Sequence, residues 1–248
     1  MRYFAFLEFD GTAYCGWQIQ PGEPSVQQCI EDALFTFLRE KTPVTGAGRT
    51  DAGVHASLMT AHFDLEQERD PEWLKSKLNG ILPADIAIHR IVPVKADAHA
   101  RFDAVRRTYH YFVSLEKDAF HRGYSWFLPN RPDFELMNQA ARLLLETVDF
   151  TSFSKLHTQT KTNNCRVDQA RWVELDDGRW MFEISADRFL RNMVRAIVGT
   201  LMKVGRHQLG VDDFQAVIDS RDRCMAGDSA PAQGLFLANV EYPDSIFL

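Results

Sequence analysis

The sequence predicts an α+β fold, and two observations support this prediction. Stretches with the two-residue alternation of a β-strand are interleaved with stretches that carry helix-start signals throughout the 248 residues. The second half repeats this organisation without visible repetition of the sequence itself. No Pro- or Ser-rich linker separates the halves, so we expect two similar α+β domains, 1–105 and 106–248, with a boundary near 104–108.

Helices in the first half are marked by capping residues. Ser25 and Gln28 fit a capping box at the start of SVQQCIEDALFTFLRE. Asp70 and Pro71 fit the cap and first turn of DPEWLKSKLNG, which Gly80 is expected to end. Alternating or continuous apolar residues predict strands at RYFAFLEF, PVTGAGR, SLMTAHFDL, IAIHRIVPV and RTYHYFVSL.

The same signals recur in the second half. Helices are predicted at DFELMNQAARLLLE, RFLRNMVRAIVGTLMKVG and DDFQAVID. Strands are predicted at CRVDQARWVEL, WMFEISA and GLFLANVEY.

The composition limits the class of protein. With 45% apolar residues, the chain has enough material for a packed core. Four cysteines lie far apart with no Cys-x-x-Cys pair, which argues against a disulfide framework or a zinc knuckle and favours a reducing cytoplasm. Glu8 interrupts the N-terminal apolar stretch too early for a signal peptide, and no apolar stretch has the length of a membrane helix. We therefore expect neither export nor a membrane anchor.

Charge is unevenly distributed along the chain. The net charge of −6, from 28 Lys and Arg against 34 Asp and Glu, argues mildly against a nucleic-acid partner. However, residues 188–211 contain five Lys or Arg and no acid, and residues 150–167 contain Lys155, Lys161 and Arg166 with no acid. Charge segregated in this way can form a cationic face on a protein with a negative total.

The loop GAGRTDAGVHA holds one carboxylate, Asp51, among glycines and alanines. It lacks the third glycine of a dinucleotide fingerprint, and no Gly-Lys-Ser/Thr follows for a phosphate loop. A tight turn that only connects strands is one interpretation. The other starts from Arg49 and His55 on either side, because a nearby arginine keeps a carboxylate ionised even where water is excluded. An ionised, partly desolvated carboxylate is typical of a nucleophile.

The predicted helix from Arg188 places Arg188, Arg191 and Arg195 on one face, three and four residues apart. Gly199 beside them would let another molecule approach closely. A solvated cationic edge is the alternative, although an arginine on a mostly buried helix needs an anionic partner. Asp51 and an RNA phosphate both fit that role.

Arginines and aromatic residues come together in HARFDAVRRTYHYFV. Arg101, Arg106 and Arg107 precede a strand in which Tyr109 and Tyr111 share a face. A tyrosine ring can cover a flipped base while guanidinium groups hold the phosphates, whereas the alternative is a strand with two core tyrosines. No His-Glu-x-x-His or Gly-x-Ser-x-Gly sequence supports metal or serine hydrolase chemistry.

Eight segments, in order along nearly the whole chain, resemble the signature segments of the tRNA pseudouridine synthase A family. They are FDGTAYCGWQIQ, SVQQCIEDAL, GAGRTDAGVHA, NGILPADIAI, HARFDAVRRTYHYFV, DFTSF, FLRNMVRAIVGTLMKVG and GLFLANVEYP. The segment LHTQTKTNNCRV departs from the family pattern in the placement of its basic residues, which concerns the grip on the tRNA elbow.

The resemblance implies the pseudouridine synthase fold, with two similar α+β halves of largely antiparallel or mixed sheets flanking a central cleft. It also implies that a homodimer, without cofactor or metal, isomerises uridine to pseudouridine at positions 38, 39 and 40 of the tRNA anticodon arm. Asp51 matches the catalytic aspartate, Tyr109 the tyrosine that covers the uracil, and Arg195 the arginine that pairs with the aspartate. Arg49 matches the loop arginine. Further RNA contacts are expected from Arg101, Arg107, Arg188 and Arg191.

Pseudouridine formation breaks the C1′–N1 bond, turns the uracil and joins C1′ to C5. The aspartate could trap C1′, attack C6 or remove the C2′ proton, and the sequence leaves these three routes open. Small residues around Asp51 would let the ribose approach the backbone. Two other classes of function remain as rivals. A catalytically silent RNA-binding module would tolerate loss of Asp51, and a nucleoside hydrolase would need a second carboxylate or metal ligands to activate water.

Overall fold

The protein is described by a computed structural model that covers residues 1–155 and 162–248. Lys161 and the start of the segment LHTQTKTNNCRV lie outside the described residues. The strands and helices mix along the whole chain, which confirms the predicted α+β class. Their order is β1 (Arg2–Phe9), α1 (Val26–Leu38), β2 (Thr45–Gly46), β3 (His55–Asp64), α2 (Pro71–Ile81), β4 (Ile86–Val94), β5 (Arg106–Ser114), β6 (Trp126–Phe127), α3 (Phe134–Arg142), β7 (Val167–Glu174), β8 (Trp180–Ala186), α4 (Met193–Gly205), α5 (Val211–Ser220) and β9 (Leu235–Glu241).

The chain forms two compact units, residues 1–105 with 236–248 and residues 106–235. These units differ from the expected domains, 1–105 and 106–248, at the C-terminal segment. The reason is strand pairing, because β9 runs parallel to β3 with Phe236 opposite His55. Backbone hydrogen bonding to β3 therefore joins the end of the chain to the first unit.

In the first unit the strands lie in the order β4, β1, β3 and β9, with β2 paired to β3. β1 is antiparallel to both of its neighbours and is buried on both faces from Tyr3 to Leu7. This explains why its sequence is continuously apolar rather than alternating.

The helices of the first unit begin as predicted. Ser25 Oγ accepts from Gln28 N at 3.3 Å, and Asp70 Oδ2 accepts from Trp73 N at 2.8 Å. The reciprocal half of the expected capping box, from Ser25 N to the Gln28 side-chain oxygen, does not appear, and Gln28 Nε2 donates to Asp32 Oδ1. Gly80 was expected to end α2 but lies inside the helix, which continues to Ile81.

In the second unit β5, β8 and β7 form an antiparallel sheet, with the short strand β6 parallel to β5. Aromatic rings join α3 to this sheet. Phe134 stacks on Trp180 with ring centroids 3.8 Å apart and lies 5.3 Å from the ring of Trp172. Helix α4 is almost wholly buried, and only its Arg195 and Lys203 reach solvent.

The helix predicted to begin at Arg188 begins at Met193 instead. Asn192 has a φ of 66°, in the left-handed region, so the α-helix cannot extend through it toward Arg188. Arg188 and Arg191 therefore precede the helix, and the predicted face of three arginines is wrong. Of the three, only Arg195 belongs to α4.

Within residues 1–155 and 162–248, no helix is long and apolar enough to cross a membrane.

Candidate active site

Asp51 lies between β2 and β3, in the first unit, at the start of a tight turn. Val54 N donates to Asp51 O at 3.2 Å, which closes the four-residue turn 51–54. Gly53, the third residue of the turn, has a φ of 74° that other residues rarely adopt. Asp51 is half-buried, whereas Arg49, two residues earlier, is exposed. The loop is thus a tight turn that also holds a partly desolvated carboxylate.

The backbone at residues 16 and 17 packs against the loop at Thr50. Trp17 N donates to Thr50 O at 3.4 Å. A Cβ on Gly16, whose φ is 91°, would lie 2.2 Å from the same carbonyl oxygen. This contact was not apparent from the sequence, where FDGTAYCGWQIQ counted only toward the family resemblance.

The glycines of the loop serve mainly the chain's own packing. A Cβ on Gly46 would lie 2.5 Å from the Trp17 indole, and Gly53 is required by its positive φ. The interpretation that these small residues make room for a ribose is therefore wrong at Gly46, where the Trp17 indole fills the space. It is retained for Gly48, where an added Cβ would meet no atom of the described residues within 4 Å.

His55 anchors the far end of the loop. Its ring is buried and stacks on Phe236 with centroids 4.6 Å apart. Gly11 N and Asp10 Oδ1 each lie 3.0 Å from His55 Nδ1. The nitrogen can accept from Gly11 or, when protonated, donate to Asp10, but not both at once.

Arg195 is held in the second unit by the segment 228–231. Its Nε donates to Ala230 O at 2.7 Å, and Ala230 N donates back to Arg195 O at 2.9 Å. The neighbouring Tyr111 hydroxyl donates to Pro231 O at 2.9 Å. Burial raises the pKa of Tyr111, and the charge of Arg195 opposes that shift. The guanidinium is thus fixed through its Nε.

Gly199 packs against this same segment. A Cβ on Gly199 would lie 1.7 Å from Asp228 O. The expectation that Gly199 leaves room for another molecule is therefore wrong, since the chain itself occupies that space.

The two tyrosines of β5 have different environments although they share a face. Tyr111 is fully buried, which matches the alternative of a core tyrosine. Tyr109 is half-buried and meets the ring of Phe189 edge to face, with centroids 5.0 Å apart at 83°. Of the two, Tyr109 has the exposure that a stacking role requires.

Two of the predicted RNA-contacting arginines meet at Asp187. Arg107 Nη1 donates to Asp187 O at 2.8 Å, and Arg188 N donates to Asp187 Oδ1 at 2.7 Å. Arg106 forms a two-pronged pair with Asp168 at 2.9 to 3.2 Å. Of these contacts, the one between Arg106 and Asp168 joins a guanidinium to a carboxylate, whereas Arg107 binds a backbone carbonyl and Arg188 donates through its backbone N–H.

The remaining predicted arginines are exposed. Arg191 lies before α4, where its carbonyl accepts from Lys155 N at 3.1 Å. Arg101 lies in the first unit, on the turn that precedes β5, with its guanidinium carbon 5.8 Å from the ring of Phe102.

No group of three or more His, Cys, Asp or Glu side chains within the described residues is arranged to hold a metal ion.

The chain is similar to known proteins over nearly its full length. A family model described as tRNA pseudouridine synthase matches residues 5–103 and 140–243. The chain is 57% identical over 247 residues to tRNA pseudouridine synthase A of Bacteroides fragilis, covering 99% of this chain and 98% of the relative. It is 56% identical over 250 residues to the protein of the same name from Porphyromonas gingivalis, covering 100% and 99%. It is 38% identical over 246 residues to that of Bacillus subtilis, covering 98% and 99%.

These matches and the α+β architecture define an enzyme of the pseudouridine synthase class, which consists of isomerases. The chain belongs to the tRNA pseudouridine synthase family. The resemblance inferred from the eight sequence segments is thereby confirmed, as is the reaction it implies, the conversion of uridine to pseudouridine in tRNA.

Proposed function

We propose that this enzyme forms pseudouridine at positions 38, 39 and 40 of the tRNA anticodon arm, with Asp51 as its catalytic carboxylate. The observation that carries the proposal is the placement of Asp51, half-buried at the head of a turn whose backbone is held in place on both sides. A fixed and partly desolvated carboxylate suits an attack on a flipped nucleotide. The position within tRNA is taken from the resemblance to the tRNA pseudouridine synthase A family.

In this proposal Asp51 acts while the C1′–N1 bond breaks and C1′ joins C5. It traps C1′, adds to C6 or takes the C2′ proton, and each route requires the ionised carboxylate. The family resemblance assigns Arg195 as the arginine that pairs with the catalytic aspartate. Its fixed Nε supports this role, because a guanidinium held by Ala230 O keeps one orientation during the reaction.

Tyr109 is proposed to hold the uracil by stacking while the base is detached from the ribose. Stacking of a base on an aromatic side chain contributes about 1–3 kcal/mol. That gain offsets the few kcal/mol needed to flip the nucleotide out of its stem. The half-exposed ring, braced at its edge by Phe189, supports this assignment.

The arginines divide into two groups in their proposed RNA contacts. Arg49, Arg101 and Arg191 are exposed and are assigned to phosphates. Arg107 and Arg188, which are half-buried beside Asp187, are assigned to positioning of the RNA near Tyr109.

We further propose that the enzyme works as a homodimer in the cytoplasm. The family resemblance supports the dimer. The four free thiols support a reducing compartment.

The test uses tRNA transcripts labelled with tritium at C5 of uracil. Four transcripts are compared that differ only at positions 38, 39 and 40. Three of them keep uridine at one of these positions, and the fourth keeps it at none. Uridines elsewhere in the tRNA are the same in all four. The proposal predicts tritium release from the first three transcripts and none from the fourth. Release from the fourth transcript equal to that from the others would overturn the assignment to positions 38–40.

A further inference from the structure

A solvent-exposed phenylalanine that the reaction scheme does not use lies in the first unit. Phe102 is 74% exposed, although Ala98 and Ala100 in the same turn are buried. Single exposed apolar side chains are common in proteins, so exposure alone indicates no function. Phe102 differs from such a surface residue because hydrogen bonds fix the backbone of its turn and its ring packs against other aromatic rings.

The turn that carries Phe102 is fixed by its own side chains. Asp103 Oδ2 accepts from His99 N at 2.7 Å, and His99 O accepts from Asp103 N at 3.0 Å. Inside this closed turn, His99 Nδ1 accepts from Arg101 N at 3.1 Å and from Phe102 N at 3.4 Å. The backbone at Phe102 therefore has little freedom.

A row of four aromatic rings runs from the core to Phe102. The ring of Phe4, which is fully buried, lies 6.2 Å from that of His62. His62 lies 4.6 Å from His99, and His99 lies 4.3 Å from Phe102. His62 Nδ1 also accepts from Ala100 N at 3.1 Å. Phe102 is the outermost ring of this row, and most of its surface stays exposed although the Arg101 guanidinium carbon lies over the ring at 5.8 Å from its centroid.

Both histidines are neutral at physiological pH, since each accepts backbone hydrogen bonds through Nδ1. Burial lowers the pKa of His62 to about 4 and also lowers the pKa of His99, and the nearby charge of Arg2 acts in the same direction on both. Asp103 opposes these shifts. At physiological pH the hydrogen bonds that His62 and His99 accept from the turn are therefore in place.

We propose that the solvent face of Phe102 stacks on an unpaired base of the substrate tRNA, with Arg101 beside the ring taking the adjoining phosphate. This inference rests on the proposed function. The Arg101 guanidinium carbon lies 5.8 Å from the Phe102 ring centroid, an arrangement that suits a planar base joined to an anionic backbone.

The test compares three variants with the wild-type enzyme. Phe102→Ala removes the ring, and Phe102→Trp keeps a stacking surface. Phe120→Ala is the matched control, because Phe120 is 87% exposed in the second unit. Kd for tRNA and the steady-state KM and kcat are measured for each protein, together with the midpoint of unfolding.

Phe102→Ala should raise Kd and KM by about 5- to 150-fold, the range that removal of one base stack corresponds to, and should leave kcat within about twofold. Phe102→Trp and Phe120→Ala should bind like the wild type, and all midpoints of unfolding should agree. Unchanged Kd in Phe102→Ala would overturn the inference. So would equal weakening in Phe102→Trp, or a fall in the unfolding midpoint that accounts for the loss. The proposed function is tested separately, by tritium release from the position-specific transcripts, so its failure and the failure of this inference are distinguishable.

Discussion

Replacing Gly199 with alanine should disturb both the stability of the second unit and the setting of Arg195. The new Cβ would lie 1.7 Å from Asp228 O and 3.3 Å from Ala230 N, while real Cβ contacts stay beyond 3.0 Å. Helix α4 is buried on nearly all sides and cannot move away. The segment 228–230 must therefore shift by about 1 Å or more.

The size of the effect follows from what this segment holds. Overpacking of a buried site costs about 1–3 kcal/mol. The same shift strains the 2.7 Å hydrogen bond from Arg195 Nε to Ala230 O, and hydrogen bonds to charged groups contribute about 1.5–3 kcal/mol. We expect a loss of about 2 kcal/mol in the free energy of unfolding, which lowers Tm by about 4–8 °C in a chain of this length. A guanidinium displaced by about 1 Å should lower kcat by about 100-fold.

Gly80→Ala is the matched control. Gly80 also lies inside a helix, but a Cβ there meets no atom of the described residues within 4 Å. It should raise the free energy of unfolding by about 0.5–1 kcal/mol and leave kcat unchanged. Both variants are measured by thermal unfolding and by tritium release well below Tm. A Gly199→Ala protein with wild-type Tm and wild-type kcat would show that segment 228–230 does not hold Arg195 in place.

Two further perturbations test other parts of the structure. Arg195→Lys keeps the positive charge but loses the planar guanidinium whose Nε donates to Ala230 O. We expect kcat to fall by about 10- to 100-fold with little change in tRNA binding. Wild-type turnover would contradict this expectation. Acid should destabilise the first unit through His62. The pKa of His62 is about 4 in the folded protein and 6.5 in the free side chain. Between these pH values the unfolded chain binds one more proton than the folded chain, so the free energy of unfolding falls as pH drops from 6.5 to 4. Urea unfolding at pH 7 and pH 5 should show a smaller pH dependence in His62→Asn than in the wild type, and an equal dependence would exclude His62 as its source.

Local signals in the sequence predicted most of the fold. The caps at Ser25 and Asp70 depend on residues three positions apart, and both appear in the structure. The start of α4 could not be predicted in this way, because asparagine is tolerated both in helices and in the left-handed region. In the structure Asn192 adopts the left-handed conformation, and its side-chain amide donates a 2.6 Å hydrogen bond to Ser229, which is distant in the sequence.

The environment of the candidate site residues could be predicted only in part. The composition of the loop around Asp51 is a local property and was visible in the sequence. Alternation placed Tyr109 and Tyr111 on the same face but could not tell which of them is buried. Tyr111 is covered by a segment about 120 residues later, where its hydroxyl meets Pro231 and its ring fills the space beside Gly234. Tertiary contacts of this kind have no local sequence signal.

The proposed function requires the carboxylate of Asp51 to perform the isomerisation. Asp51→Asn removes the charge and keeps the size of the side chain, and Asp176→Asn, on the exposed turn between β7 and β8, is its control. Tritium release from C5-labelled tRNA should be lost in Asp51→Asn and unchanged in Asp176→Asn, while both variants bind tRNA like the wild type. Release by Asp51→Asn at the wild-type rate would show that the reaction does not depend on this carboxylate.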